Sequence, residues 1–439
     1  MAGRSTRGFF AYDVARDKFV FIKDYWRADL PGRLTEYDVY VKFSEGSSDT
    51  CKFFPTLLGG GDVRSRNLEG VQQTLSDKCA QLSVSSRVHV RLVMKEVCRR
   101  LQTFKDWREL ASVMRDALTA HKIAWEEYGI LHRDISVGNI LIYEVNDRSP
   151  EPKAIGLLTD WDLAKTRDQV FHRVASQPTR SGTWQFLSAA LSRNHHKPHL
   201  LSDDLESAMH VLNWLTLKHM HTQLTDLGAS EAAAHIQSYY DAQTPTGLGS
   251  YTKWLVVTGG HVPIDHHHSP NHPFIYLLNR LAALCAEHYS AQPIQDTIDA
   301  ARAGTLAELC SKTTSPVPLP SSNAKLPLLN NHQAFIDVFE RALQEKTWPA
   351  LEKLADQVPD QELPSSSIGG NRDSEHIWVM KTLHLVIGVL LTLAHTMSIQ
   401  AAPVDDDRTG PTRATGLTEA QNLHSPSPHV HVRRARAHP

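Results

Sequence analysis

The residues with the most chemistry to offer lie between Gly129 and Ala164. His132, Arg133 and Asp134 are contiguous, and four residues later stands Asn139, which is the H-R-D-x-x-x-x-N spacing. A loop of that length between two apolar runs can set Asp134 to accept a hydroxyl proton while Asn139 turns back toward a magnesium ion. A second carboxylate, Asp160, closes the next apolar run, Leu157-Leu158-Thr159-Asp160-Trp161-Asp162. Asp160 and Asn139 together make an oxygen pair suited to a hard cation bridging the phosphates of ATP. The chemistry so defined is phosphoryl transfer. Either carboxylate alone would read as an ordinary loop group capping a strand or helix; the ordered combination carries the argument.

The elements that must position these groups follow from periodicity. Gly8–Val14 and Lys18–Lys23 read as strands, the second (KFVFIK) rich in residues that suit a half-buried pleated surface, with a turn at Ala15-Arg16-Asp17. Arg33–Phe43 can be helical, Ser44–Thr50 is loop-like, and a long variable loop containing Gly59, Gly60 and Gly61 is expected next. Arg87–Val97 alternates as one or two strands, Leu101–Glu127 is spaced as a helix, and ILIYE and GLLTD form the runs flanking the polar clusters. Beyond Asp204 three helical stretches follow: LESAMHVLNWLTL, FIYLLNRLAALCAEHY and IQDTIDAARAGTLAELC. Lys312–Pro327 then reads as a linker, Gln333–Gln357 as helix and Pro364–Arg372 as linker. A strand-rich portion thus gives way to helices.

Composition sets the outer bounds. The chain has 439 residues, 41% hydrophobic and 21% charged, enough to bury a large core and too long for one ordinary domain. With 46 Lys and Arg against 48 Asp and Glu the net charge is −2, so no global field draws the chain to nucleic acid or an anionic membrane. The five cysteines, Cys51, Cys79, Cys98, Cys285 and Cys310, never fall in CxxC spacing, which favours a reducing, cytoplasmic or nuclear compartment over a zinc site.

Four segments, GILHRDISVGNI, LLTDWDLA, SGTWQFLS and SDDLESAMHVLNWL, resemble the fungal-type protein kinase family, a divergent branch of the protein-kinase superfamily, in the right order from about Gly3 to Leu215. The resemblance implies an α+β, two-lobed protein-kinase-like fold: a small β-rich N-lobe over 1–98 lacking its first strand, and a larger helical C-lobe over 99–357. It implies ATP in the cleft, with magnesium held by Asn139 and Asp160. Asp160 then stands at the D-F-G position, with Trp161 for Phe and Asp162 for Gly. Lys23 takes the place of the strand lysine that contacts the phosphates. Glu36 is the best match to its helix partner, with Asp38 close by. Gly3 and Gly8 resemble the phosphate-covering glycine loop in degraded form, and Glu96 and Val97 the backbone that meets adenine. The stretch from Asp160 to Thr183 resembles an activation segment, in which Ser176, Thr179 and Ser181 are phosphorylation sites whose phosphate would pair with Arg133. Thr183 resembles the substrate-side threonine. Asp204 and His132 take structural roles, Asp204 bracing the catalytic loop.

Two departures stand out. Ser136 occupies a position where many protein kinases carry a phosphate-contacting lysine, although the fungal-type family itself resembles HRDIS here. Ala190 occupies that of a glutamate whose ion pair with an arginine anchors the end of the activation segment, and loss of one partner of a buried pair costs about 3–5 kcal/mol. The expected activity is ATP- and magnesium-dependent phosphorylation of Ser or Thr in a protein substrate. Alternatives are a catalytically impaired pseudokinase and a small-molecule phosphotransferase of the aminoglycoside-kinase type; Arg133 and GTWQFLS favour a protein substrate.

The remaining signals lie outside this constellation. Asp265, His266, His267, His268 and His272 could bind a transition metal, but flanking prolines and 25 histidines in the chain favour a loop. The basic Arg433-Arg434-Ala435-Arg436 reads as a disordered end and not as a nucleic-acid patch. After a linker over 358–379, Met380–Ala402 has the n-region, h-region and small-residue end of a secretory signal peptide, followed by a polar, disordered tail over 403–439. A signal belongs at an N-terminus, so the expectation is two joined reading frames, with a packed helix or a membrane anchor as alternatives.

Overall fold

Alternating apolar residues make a hairpin of β1 (Arg7–Asp13) and β2 (Lys18–Ala28), paired antiparallel so that Gly8 lies opposite Lys23. β2 continues past Lys23 with Tyr25 buried on the same face and Ala28 buried at its end. Its other edge pairs with β4 (Arg87–Met94), and β4 pairs with β3 (Leu57–Asp62), giving the order β1-β2-β4-β3. The helix between β2 and β3, α1 (Glu36–Ser44), starts later than its apolar pattern because Thr35 caps it: its side chain accepts from the Asp38 N–H while Asp38 bonds back to Thr35. A short helix, α2 (Ser48–Cys51), follows where a loop is expected.

The glycine run is the clearest departure from the sequence reading. Gly59, Gly60 and Gly61 belong to strand β3, not to a loop. Their low strand propensity hides the strand, but at Gly60, with φ +138°, a Cβ would sit 2.2 Å from the Arg91 carbonyl oxygen, so only glycine allows this pairing.

The structure, a computed structural model, describes residues 6–30, 32–65, 70–76, 86–145, 153–171, 182–194, 196–243, 249, 251–262, 271–291 and 328–358. These belong to one compact unit, Met1–Gln361, and Glu362–Pro439 is a second, outside the described residues. Within the first, β5 (Arg99–Arg100) leads into α3 (Trp107–Glu126), then β6 (Ile130–Leu131), β7 (Ile140–Val145), β8 (Lys153–Leu158) and β9 (Lys165–Thr166). Helices follow: α4 (Arg167–Phe171), α5 (Ala189–Arg193), α6 (Leu201–His219), α7 (Gln223–Asp226), α8 (Ala229–Ile236), α9 (Tyr251–Thr258), α10 (Pro273–Ala291) and α11 (Gln333–Gln344). α11 stops short of the expected Gln357, because Pro349 cannot continue a helix. The chain beyond it straps the helices instead: Lys353 Nζ donates to the carbonyls of Gln102 (2.9 Å) and Phe104 (2.6 Å), and the Leu354 N–H to that of His219 (2.8 Å).

One hydrophobic cluster joins strands, α1 and the large helices: Tyr25 and Leu92 from the sheet, Val39 and Phe43 from α1, Trp161, and the apolar faces of α3, α6, α10 and α11. α6 is buried along almost its whole length, so it is the axis around which the helical part packs. Among the described residues no helix is long and apolar enough to cross a membrane. The expected features at IQDTIDAARAGTLAELC, Lys312–Pro327, Asp265–His268, Pro364–Arg372 and 380–439 lie outside the described residues.

β8 lies directly on α3. A Cβ on Gly156 would approach the Val113 carbonyl oxygen to 2.1 Å, and the Gly156 N–H donates to the buried carboxylate of Asp116 (3.1 Å). Gly156→Ala is therefore expected to lower stability by about 1–3 kcal/mol through overpacking, read as a fall in the urea midpoint. An unchanged midpoint would mean that the strand has room to move away.

Candidate active site

A buried ammonium group needs anions around it. Lys23, on the inward face of β2, has two: its Nζ donates to Glu36 Oε1 (2.8 Å) and Oε2 (2.7 Å) on α1 and to Asp160 Oδ1 (2.9 Å) just after β8. Burial opposes the charge on Lys23, but Asp160 and Glu36 outweigh it and hold the ammonium above its ordinary value. Burial pushes the Glu36 carboxyl up to about 7, with Asp160 adding to the effect and Lys23 pulling against it. Asp38 is not the partner; it is spent on the cap of α1. Asp160 is held in the left-handed region (φ 62°), a cost of about 1–3 kcal/mol that the packing around it must meet. The next side chain, Trp161, is wedged against Phe43 (centroids 4.9 Å apart) and His132 (4.5 Å).

The loop between β6 and β7 carries the second group. His132 bonds the Thr159 carbonyl (2.9 Å) and accepts from the Asp134 N–H (3.1 Å), which ties the loop to the strand leading to Asp160. Asn139 Nδ2 donates to the Asp134 carbonyl (2.7 Å), committing its donor and leaving the amide oxygen as the atom with ligand chemistry. The Asp134 carboxylate accepts from both the N–H and the hydroxyl of Thr183, each at 2.7 Å. Arg133 also takes a left-handed backbone (φ 72°), and its N–H donates to Asp204 Oδ2 (2.9 Å). Asp204, fully buried at the start of α6, further receives His121 Nε2 (2.9 Å) and His199 Nε2 (2.6 Å). Burial would raise its carboxyl, but these histidines outweigh that and hold it well below the usual carboxylate range. His132 is pushed below its ordinary value by burial.

Three cations gather beside this loop. Arg33 bonds the Asp162 carbonyl and lies 3.4 Å from its carboxylate, Arg133 donates to the Leu163 carbonyl (3.2 Å), and Lys165 is lowered to about 8 by burial and by the charges of Arg133 and Arg33. Ser176, Thr179 and Ser181 lie outside the described residues, as does Gly3. Gly8 sits in β1, where a Cβ would meet the Phe21 ring at 2.6 Å. Glu96 and Val97 lie in the connector between β4 and β5; the Glu96 carboxylate accepts from the Thr56 N–H (2.7 Å) and hydroxyl (2.8 Å). Ser136 is buried within the loop.

Several residues that shape the site carry no local signal. Arg33, Lys165, His121 and His332 act through contacts with residues far off in the chain, and His199 through Asp204 five positions on; the His121–His332 bond (2.7 Å) spans 211 positions.

Because Asp204 serves one backbone and two side-chain donors in a sealed setting, Asp204→Ala is expected to cost about 3–5 kcal/mol of stability, the scale for leaving a buried partner uncompensated. Denaturant unfolding checks this, and a loss below about 1 kcal/mol would mean that the three donors find other acceptors.

No curated protein matches the chain. Residues 41–216, which run from within α1 to within α6 and include His132, Asp134, Asn139, Asp160 and Asp204, match the family described as fungal protein kinase. Over this region the chain is similar to the fungal protein kinase family.

Proposed function

We propose that the chain transfers the terminal phosphoryl group of ATP, in a magnesium-dependent reaction, to Ser or Thr hydroxyls of a protein substrate. The observation that carries this reading is the convergence on Lys23 of Glu36 and Asp160, from a strand, a helix and a loop, beside the loop bearing Asp134. Lys23 contacts the phosphates and Glu36 holds it in place. The connector at Glu96 and Val97 offers backbone groups to adenine. Asp134 orients the acceptor hydroxyl and takes its proton, and Thr183 fixes the carboxylate for that task. Asn139 and Asp160 would supply oxygen ligands to magnesium. Magnesium is usually held by one or two carboxylates, with phosphate and water completing its shell. When bound, magnesium neutralises charge on the phosphate oxygens. Positioning and charge stabilisation, more than covalent chemistry, account for the rate. Phosphate on Ser176, Thr179 or Ser181 would meet the Arg33, Arg133 and Lys165 group and order the segment.

Asp134→Asn is expected to lower phosphoryl transfer by about 10²–10⁴-fold while magnesium-nucleotide affinity stays the same. Undiminished turnover would remove Asp134 from its role, and nucleotide binding with no turnover in the unaltered chain would favour a pseudokinase. The pH dependence follows from Glu36. Its carboxyl, raised to about 7, is ionised above that value and gains a proton as pH falls through it, so the pair with Lys23 loses its charge on the acid side. The rate is expected to fall below about pH 7. In Glu36→Gln, neutral at every pH, the rate should be low and this acid limb absent. An identical limb in the variant would assign it to another group.

A further inference from the structure

Ala190 lacks the carboxylate that would anchor the end of the segment leading from Asp160, yet that end is held. The carboxylate comes from α6 instead. Glu206 Oε1 accepts from the Ala189 N–H (2.7 Å) and is 3.1 Å from His210 Nε2, while Oε2 accepts from the Tyr289 hydroxyl (2.6 Å). Tyr289 in turn accepts from the Ala190 N–H (3.2 Å).

A second anchor sits just before it in the chain. Lys253, on α9 and only 2% exposed, points its Nζ at the carbonyls of Gln185 (2.7 Å) and Leu187 (3.1 Å). Those residues follow directly on Thr183, the partner of Asp134, through the single turn Trp184–Phe186. Asp241 holds the Gln185 side chain (2.8 Å), so both ends of that residue are fixed. The groups facing Lys253 are Glu206 and His210 of α6, together with Asp241 and the Tyr240 ring, whose centroid lies 5.3 Å from Nζ. A buried ammonium with two carbonyls for partners has no packing purpose that an apolar side chain would not serve better.

We infer that Lys253 is a positioning residue: its ammonium clamps the Gln185 and Leu187 carbonyls and thereby fixes Thr183 against Asp134 on the substrate side of the site. The consequence for activity rests on the phosphoryl-transfer reading, whereas the clamp itself does not. Burial pulls Lys253 down to about 7, with Glu206 and Asp241 acting against it, so the clamp is charged below that value and loses its charge as pH rises through it. His210, held to about 4 by burial and by Lys253, is neutral throughout that range. Charged donors make the stronger bonds, so the hold weakens on the alkaline side.

The test uses the full chain with Lys253→Met, similar in bulk but without donors, and Lys253→Arg, charged at every relevant pH. Amide exchange over 183–191, corrected for intrinsic rates, is expected to rise about tenfold in Lys253→Met. Exchange over 205–215 of α6 should not change. In the unaltered chain protection of 183–191 should fall as pH rises through about 7, and in Lys253→Arg it should not. Unchanged exchange in a folded Lys253→Met would overturn the proposal. Should that variant not fold, a pH-independent segment in the unaltered chain would overturn it equally. In transfer assays Lys253→Met should raise KM for the protein substrate about tenfold with magnesium-nucleotide affinity unchanged; a loss confined to nucleotide affinity would overturn the positioning role. Exchange behaving as expected in a chain that shows no transfer at all would refute the phosphoryl-transfer reading and leave the clamp standing.

Discussion

The structure turns on one buried ammonium group. Lys23 cannot lie under the sheet without compensation, and the two carboxylates that provide it come from different parts of the chain, Glu36 at the start of α1 and Asp160 beyond β8. Satisfying that charge therefore locks a strand, a helix and a loop into one arrangement. Trp161, adjacent to Asp160, is buried against Phe43 and His132, so apolar packing and charge compensation hold the same juncture together.

α6 does the corresponding work on the other side. Three acids in its first turn and a half are buried, and between them they hold two pieces of chain, the loop at Arg133 and the stretch at Ser188 and Ala189. Asp203 binds the Ser188 hydroxyl (2.6 Å) and Lys197 (2.6 Å), Asp204 the Arg133 N–H, and Glu206 the Ala189 N–H. A helix this thoroughly buried is rigid, and groups mounted on it pass that rigidity to the loops they grip. The His121, His199 and His332 chain behind Asp204 belongs to the same system; His332, lowered to about 2 by burial and by its neighbours His121 and Lys122, stays neutral and bonds His121 without adding charge.

The departures from common kinase patterns acquire physical meaning in this frame. Trp161 for Phe keeps an aromatic wedge where one is needed. At Ala190 no carboxylate is present, and Glu206 of α6 accepts from the neighbouring Ala189 N–H.

How much was legible beforehand divides along the chain's own length scale. The spacing of His132, Asp134 and Asn139, the apolar run that ends at Asp160, the strand carrying Lys23, and the long apolar helix after Asp204 are local: spacing within a dozen residues and periodicity of 2 or 3.6 determine them, and sequence alone exposes both. Glu36 is chosen over Asp38 by the resemblance alone, but that Asp38 is consumed by the α1 cap is visible only in the fold. The strand through Gly59, Gly60 and Gly61 was hidden because its stability comes from the partner β4 and the close approach of Arg91, not from its own propensity. Lys253 lies 68 positions from Gln185, and Glu206 reaches Tyr289 across 83. No pattern in the linear chain distinguishes these from any other lysine or glutamate, because their roles arise only when burial removes water and makes a particular carbonyl, N–H or hydroxyl the remaining partner.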